Sequence, residues 1–207
     1  MSINTVTDTI DWVRAWIADP LHVGAIIPSG RALAELITSE ISPATGPVIE
    51  LGAGMGVFTR ALLARGVAEE KLALIDDRDD FVRRLTFRFP LTQLHHMDAT
   101  RLRDVELFGG AAGAVISGLP LLSMPPKKVI AILEGAFGHL RADGAFYQFT
   151  YGPLCPVRRT VLDRLGLKAT RIGRTVANVP PAAVYRIRRR PTRPLAVINA
   201  RACRVAA

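Results

Sequence analysis

Glu50, Gly52, Gly54 and Gly56 stand in the run Val48-Ile49-Glu50-Leu51-Gly52-Ala53-Gly54-Met55-Gly56, an apolar segment that ends in an acid and passes into glycines at alternate positions. Glycine lets a ligand come close to the main chain, and a helix that starts just beyond, at Val57-Phe58-Thr59, offers that ligand its unpaired N–H groups. The G-x-G-x-G spacing differs from the G-x-G-x-x-G of the dinucleotide fingerprint. Twenty residues past Gly56 stands Asp76, where a carboxylate accepts hydrogen bonds from both hydroxyls of a ribose. Asp77 follows it and competes for the role. Asp98, in His96-Met97-Asp98-Ala99, is a further acid at a strand end, placed to accept the hydrogen of an adenine amino group. A purely structural role is also open to these acids: a solvated acidic loop capping a helix near Asp80 and, for Asp98, a turn cap. Acids at successive strand ends, together with the glycines, are more specific for a nucleoside-type ligand than any of these residues alone.

Strands must carry these acids and turns must present them. Strand-like runs fall at Pro47–Leu51, Lys71–Asp76, Gln93–Met97, Ala112–Ser117 and Ala145–Tyr151. Helical patterns alternate with them at Gly56–Ala64, Asp80–Phe89, Pro125–Leu140 and Val157–Leu165. Such alternation predicts an α/β fold, a doubly wound and mostly parallel sheet with helices on both faces, whose ligands bind beyond the carboxyl ends of the strands. Ala169–Val176 and Ala183–Arg188 have no helix between them and read as an antiparallel edge hairpin, completing seven strands. Upstream, residues 3–18 show a helical stripe of Ile3, Val6, Ile10, Val13 and Ile17 flanked by Trp12 and Trp16. An extended apolar segment, Leu21–Pro28, leads to Ser29, an expected N-cap for a helix running to Ile41, and Pro43–Pro47 reads as a linker.

A chain of 207 residues, 49% of them apolar, supplies one sizeable domain. No secretory signal is evident, no apolar run is long enough to span a membrane, and the two widely separated cysteines, Cys155 and Cys203, lack metal-like spacing. A reduced cytoplasmic setting is the expectation. The net charge of +9 is distributed unevenly: residues 1–140 carry 13 basic against 16 acidic side chains, and residues 141–207 carry 14 against 2. Arginine supplies 23 of the 27 basic residues, and its planar fork suits phosphate, so anionic lipid and nucleic acid are both candidate partners.

With Glu50 in front, the glycine run resembles the first motif of S-adenosylmethionine-dependent methyltransferases of class I, whose Rossmann-like sheet is the one the alternation predicts. Several segments together narrow the resemblance to bacterial phospholipid N-methyltransferases of the soluble, rhizobial type. They are Asp19–Ser29, Glu50–Gly56, Ser117–Pro125, Phe149–Pro153 and Asn178–Tyr185, spread over about residues 10–188. The resemblance implies stepwise methylation of phosphatidylethanolamine to phosphatidylcholine at the cytoplasmic face of the inner membrane. S-adenosyl-L-methionine is the implied donor and S-adenosyl-L-homocysteine the product. The same resemblance implies a cofactor site of Glu50, Gly52, Ala53, Gly54, Gly56, Asp76, Asp77, Asp98 and Ala99, joined by Ser117, Gly118, Ile27 and Ser29. It divides the chain into an N-terminal helix and cofactor-covering segment (1–28), the methyltransferase domain (29–190) and a basic tail (191–207).

An acceptor amine must be unprotonated before it attacks the sulfonium methyl. Tyr151, through its hydroxyl or its ring face, and Ser117 are the expected catalytic residues, with core packing the competing role for Tyr151. Leu119, Pro120, Asn178 and Arg186 are expected on the substrate side, the last two as partners of a lipid phosphate. Trp12, Val13, Trp16 and Ile17 are expected to dock the first helix on lipid. That helix carries Asp8, Asp11, Arg14 and Asp19, a balance that suits a cover over the sheet equally well. Attraction to anionic lipid then falls to Arg158-Arg159 and Arg186–Arg193. An rRNA adenine N-methyltransferase competes with the lipid reading, but Gly118 stands where those enzymes carry Asn and Leu121 where they carry an aromatic, so both devices for holding a flipped base are missing. A different amine lipid, such as an ornithine lipid, is also a candidate acceptor, and a non-catalytic nucleotide-binding protein would carry the same cofactor motifs. His95, His96 and His139 are expected to be structural, no metal is expected, and a monomer is expected.

Overall fold

The computed structural model describes residues 27–151, 154–176 and 181–191. The predicted helix over 3–18, with Trp12, Val13, Trp16 and Ile17, lies outside the described residues. So do Asn178 and the tail from 192 onward, and the side chains of Ile27 and Ser29.

A seven-stranded sheet organises the molecule, in the order β3-β2-β1-β4-β5-β7-β6. Its strands are β1 (Val48–Leu51), β2 (Leu72–Asp76), β3 (Gln93–His96), β4 (Ala112–Ser117), β5 (Leu140–Tyr151), β6 (Leu167–Thr175) and β7 (Ala182–Arg189). β1 to β5 are mutually parallel, and β7 inserts antiparallel between β5 and β6. Every residue of β1, β2 and β4 is buried, as expected of parallel strands covered on both faces. β3 and β6, at the two edges, carry more exposed and polar residues.

The helices are α1 (Ile27–Ile37), α2 (Val57–Ala64), α3 (Asp79–Arg88), α4 (Pro126–His139) and α5 (Arg159–Arg164). Side chains alternate across each strand and so divide the core in two. Ile49, Leu51, Ile75, Val115 and Phe146 pack with Ile132, Leu133 and Leu162, residues of α4 and α5. Val48, Leu74, Ile116 and Tyr147 pack with Leu33, Leu62 and Leu85 of α1, α2 and α3.

The expected boundaries change in a few places. α1 begins two residues before Ser29, which therefore lies inside the helix rather than capping it. Pro28 is compatible with this because the first turn has no intrahelical partner for its missing N–H. The helix stops at Ile37, not Ile41. Thr38 Oγ1 donates to the Ala34 carbonyl at 2.7 Å, and Ile41 is still buried as the chain turns. The expected linker contains a 3₁₀ turn, Pro43–Thr45. Its Thr45 carbonyl lies so close to β4 that a Cβ on Gly113 would sit 1.7 Å away. β5 starts at Leu140 rather than Ala145, directly from α4. There Arg189 donates to the Phe137, Leu140 and Arg141 carbonyls, satisfying acceptors that the end of the helix leaves open.

Candidate active site

The glycine turn joins β1 to α2, and all three of its glycines have positive φ: Gly52 at 70°, Gly54 at 52° and Gly56 at 70°. Side chains rarely adopt this left-handed conformation, so the turn requires glycine for backbone reasons alone. The neighbours add a second reason. A Cβ on Gly52 would lie 2.9 Å from the Leu119 side chain, and one on Gly56 would lie 2.5 Å from the Phe89 ring. Gly56 therefore lets α2 and the end of α3 close together.

Asp76, at the end of β2, is the hinge of the site. Its Oδ2 accepts the Gly54 N–H at 2.8 Å and its Oδ1 accepts the Arg78 N–H at 3.0 Å. Burial raises its pKa against the pull of those two bonds. Each oxygen keeps a second lone pair, so a pair of ribose hydroxyls still finds acceptors there. Asp98, after β3, accepts the Thr100 N–H at 2.8 Å, and that bond holds its carboxyl below the ordinary range. It is both the turn cap of the 3₁₀ segment Ala99–Asp104 and a lining residue of the cleft.

That cleft is open to solvent and spans about 430 Å³, counting the space at its open side, beyond the carboxyl ends of the strands. Six of the residues singled out in the sequence meet in its wall: Gly52, Asp76, Asp77, Asp98, Ala99 and Leu119. Ile75, Met97, Met124 and Ile132 give it apolar walls, and Thr100 and Lys128 complete its polar side. No local sequence signal marks these last six as site residues. Lys128 sits in the first turn of α4, where a lysine reads as ordinary solvated surface.

Glu50 is 1% exposed and lies outside the cleft wall. Its Oε2 accepts the Thr59 hydroxyl at 2.6 Å, across the turn to α2, while Oε1 has no partner. Burial raises its pKa to about 8, with the Asp76 charge contributing in the same direction. A fully buried carboxyl with one orphaned oxygen costs free energy and marks a place where a further donor belongs.

The geometry gives several of the expected residues contacts within the protein. Ser117 ends β4 as predicted and is fully buried, and its Oγ accepts the Leu119 N–H at 3.2 Å, which holds the turn. Gln148, beside it on β5, donates to the Leu119 and Phe149 carbonyls. Gly118 donates its N–H to the Leu51 carbonyl, and a Cβ there would fall 2.8 Å from the Gly52 carbonyl oxygen. A base-holding Asn at 118 is thus incompatible with this backbone. Leu121 is buried in the core. Tyr151 is 7% exposed and packs edge-on against Phe149, with centroids 5.3 Å apart, which agrees with a packing role for its ring.

Arg186 is engaged within the protein: its Nη1 donates to Glu40 Oε1 at 2.7 Å, while the Tyr147 hydroxyl donates to the other oxygen of Glu40 at 3.1 Å. Arg190 and Arg159 both pair with Asp163. Much of the predicted lipid-binding arginine cluster therefore serves internal contacts. His139 donates to the Leu102 carbonyl at 2.9 Å, a structural role as expected. Among the described residues, no cluster of His, Cys, Asp or Glu could hold a metal ion.

No protein-family model matches the chain, and no curated protein matches it in sequence. Solved structures match it in fold. The glycopeptide N-methyltransferase MtfA, in complex with S-adenosyl-L-methionine, superimposes with a TM-score of 0.57 at 14% identity, over 78% of this chain and 94% of that one. A TehB-like SAM-dependent methyltransferase from Corynebacterium glutamicum gives 0.58 at 14% identity, over 89% and 99%. DhpI, in complex with SAH, gives 0.59 at 16% identity, over 93% and 100%. The seven-stranded sheet with its antiparallel edge is the Rossmann-like fold of these methyltransferases.

Proposed function

We propose that this protein is an S-adenosyl-L-methionine-dependent methyltransferase that acts on the amine of phosphatidylethanolamine and of its mono- and dimethyl forms. The observation that carries the cofactor is the meeting, in one cleft at the carboxyl ends of the strands, of a glycine turn, Asp76 and Asp98. The residues fit the group. Asp76 has lone pairs left for ribose hydroxyls, Asp98 would accept from the adenine amino group, and Ile75, Met97 and Ile132 would pack against the base. The orphaned Oε1 of Glu50 suits the ammonium of the methionine end.

The bound cofactor supplies an already activated methyl group. The chain's own part is positioning and control of water. The glycine turn brings bare backbone to the ligand, and Gly118 keeps the end of β4 tight against it. Ser117 and Gln148 fix the chain at Leu119 from both sides, through its N–H and its carbonyl.

A lipid acceptor is favoured by exposed apolar groups on the carboxyl-end side of the sheet. Leu122 and Leu154 follow the ends of β4 and β5 and are 44% and 68% exposed, apolar groups on the side where an acyl-bearing substrate would arrive. Gly118 and Leu121 supply neither an amide nor a stacking ring for a nucleic-acid base. The setting implied is the cytoplasmic face of the inner membrane, with the protein bound peripherally as a monomer.

Incubation with methyl-labelled donor and phosphatidylethanolamine vesicles is expected to yield mono-, di- and trimethylated lipid, separable by chromatography. Label in rRNA and none in lipid would refute the acceptor. Failure to bind S-adenosyl-L-homocysteine in calorimetry would refute the cofactor.

A further inference from the structure

Three arginines converge on the outer side of the glycine turn. Arg60 Nη1, from α2, and Arg88 Nη1, from α3, both donate to the Met55 carbonyl, at 3.2 and 3.0 Å, and Arg84 Nη1 lies 3.7 Å from the Met55 sulfur. Among the described residues, none of the three is within ion-pair distance of a carboxylate. Their neighbours differ in this respect: Arg83 pairs with Asp79 and Arg78 with Asp80. Guanidiniums gathered on one carbonyl repel one another. Accordingly Arg60 is held below its ordinary pKa, by burial first and by Arg88 second. Such a cluster is complementary to anions arriving from solvent.

The same helix face carries exposed apolar side chains. Arg84, Phe87 and Arg88 stand at i, i+3 and i+4, so they project from one face of α3. Phe87 is 89% exposed, and Leu91, just past the helix end, is 57% exposed. A solvated face has no use for a fully presented phenylalanine, and a nucleic acid could stack on Phe87 but gains nothing from Leu91. A lipid interface rewards both halves of the pattern, phosphates for the arginines and an apolar layer for the side chains between them.

We propose that the exposed face of α3, with Arg60, is a docking surface for an anionic lipid bilayer, Arg60, Arg84 and Arg88 taking headgroup phosphates while Phe87 and Leu91 enter the interface. This deepens the lipid reading above by stating where the membrane lies, beside the glycine turn that the arginines touch. It also moves the docking charge away from the C-terminal third, where the count of charges along the sequence puts it.

The test measures co-sedimentation of the full chain with phosphatidylcholine vesicles, with and without phosphatidylglycerol, as salt is raised. Binding is expected only with the anionic lipid and is expected to fall with salt. Arg84→Glu should raise the lipid concentration for half-binding about tenfold, and Phe87→Ser should weaken binding without altering its salt dependence. Phe87→Ser should leave the melting temperature and the affinity for S-adenosyl-L-homocysteine unchanged. Undiminished binding by both variants would overturn the proposal. So would loss of binding on Arg171→Glu/Arg174→Glu instead, or displacement of the protein from vesicles by single-stranded RNA at equal charge. Methylation of phosphatidylethanolamine in detergent micelles is read in parallel. If the wild type binds vesicles through α3 but methylates no lipid, the docking surface stands and the substrate reading falls.

Discussion

At Glu50 a single carboxyl is asked to do two things. It must stay neutral in a fully buried place, and it must leave one of its two oxygens without a hydrogen-bond partner. The first has a measurable consequence. Its folded pKa, raised to about 8 from an ordinary 4.5, means that the native state keeps a proton which the unfolded chain has lost. The native state therefore binds more protons than the unfolded state between about pH 4.5 and about 8, and stability must fall as pH rises through that window. Glu50→Gln mimics the neutral carboxyl and can still accept the Thr59 hydroxyl. It is expected to flatten the decline of melting temperature between about pH 5 and about 8.5, a difference on the order of a few kcal/mol at the upper end. A residual slope belongs to Asp76, whose pKa burial raises in the same direction. The carboxylates held low by arginine or backbone partners, such as Asp98 and Asp163, lose stability only as pH falls through the acid range, outside the window. Parallel slopes in mutant and wild type would show that Glu50 is ionised in the native state.

Strand ends and turns decide where such residues stand, and here Gly118 shows how tightly β1 and β4 are joined. Its N–H reaches the Leu51 carbonyl at 2.8 Å, and its missing Cβ leaves room for the Gly52 carbonyl. The obstacle to a larger residue is backbone, which no rotamer change relieves. Gly118→Ala is accordingly expected to destabilise by about 1–3 kcal/mol and, by displacing the glycine turn, to weaken S-adenosyl-L-homocysteine binding about tenfold or more, both readable by thermal shift and calorimetry. Normal affinity with normal stability would show that the two strand ends are more compliant than their spacing implies. Much at this scale is legible in the sequence. Largely apolar runs mark β1, β2 and β4, and the polar and glycine residues at or just past strand ends set the sites at Gly52, Asp76 and Asp98, because those signals are local. Gly118 reads locally only as the absence of an amide. Its role is a contact between strands 66 residues apart, from Gly52 to Gly118, which no local pattern carries. Lys128 and the apolar wall of the cleft are hidden for the same reason, since helix α4 meets the strand ends only after the sheet is wound.

For the molecule as a whole, the charge pattern is legible in the sequence, and the structure gives part of it an internal use. A basic C-terminal third suggests anionic partners outside the protein, yet Arg186 and the exposed Arg189 and Arg190 all make hydrogen bonds or ion pairs within the protein. Arg189 covers carbonyls at the α4–β5 junction, Arg190 takes Asp163 and the Leu167 carbonyl, and Arg186 takes Glu40. These contacts bind the antiparallel strand β7, last of the described strands, to the helices and loops that precede it. The Glu40 contact ties the segment after α1 to two strands at once, because Tyr147 of β5 donates to the other carboxylate oxygen, and burial with the Glu40 charge pushes that phenol up to about 12. Arg186 is 27% and Glu40 34% exposed, so solvent screens the pair only in part. Arg186→Met is expected to cost about 1–2 kcal/mol, more than the pair itself contributes, because Glu40 is left with one donor. Adding Glu40→Gln should restore part of the loss, a coupling of about 1 kcal/mol in a double-mutant cycle from denaturant unfolding. If Arg186 instead held a substrate phosphate, the single substitution would raise KM for lipid while leaving stability alone, and the second would restore nothing. The two substitutions thus separate an arginine that closes the sheet from one that greets a ligand.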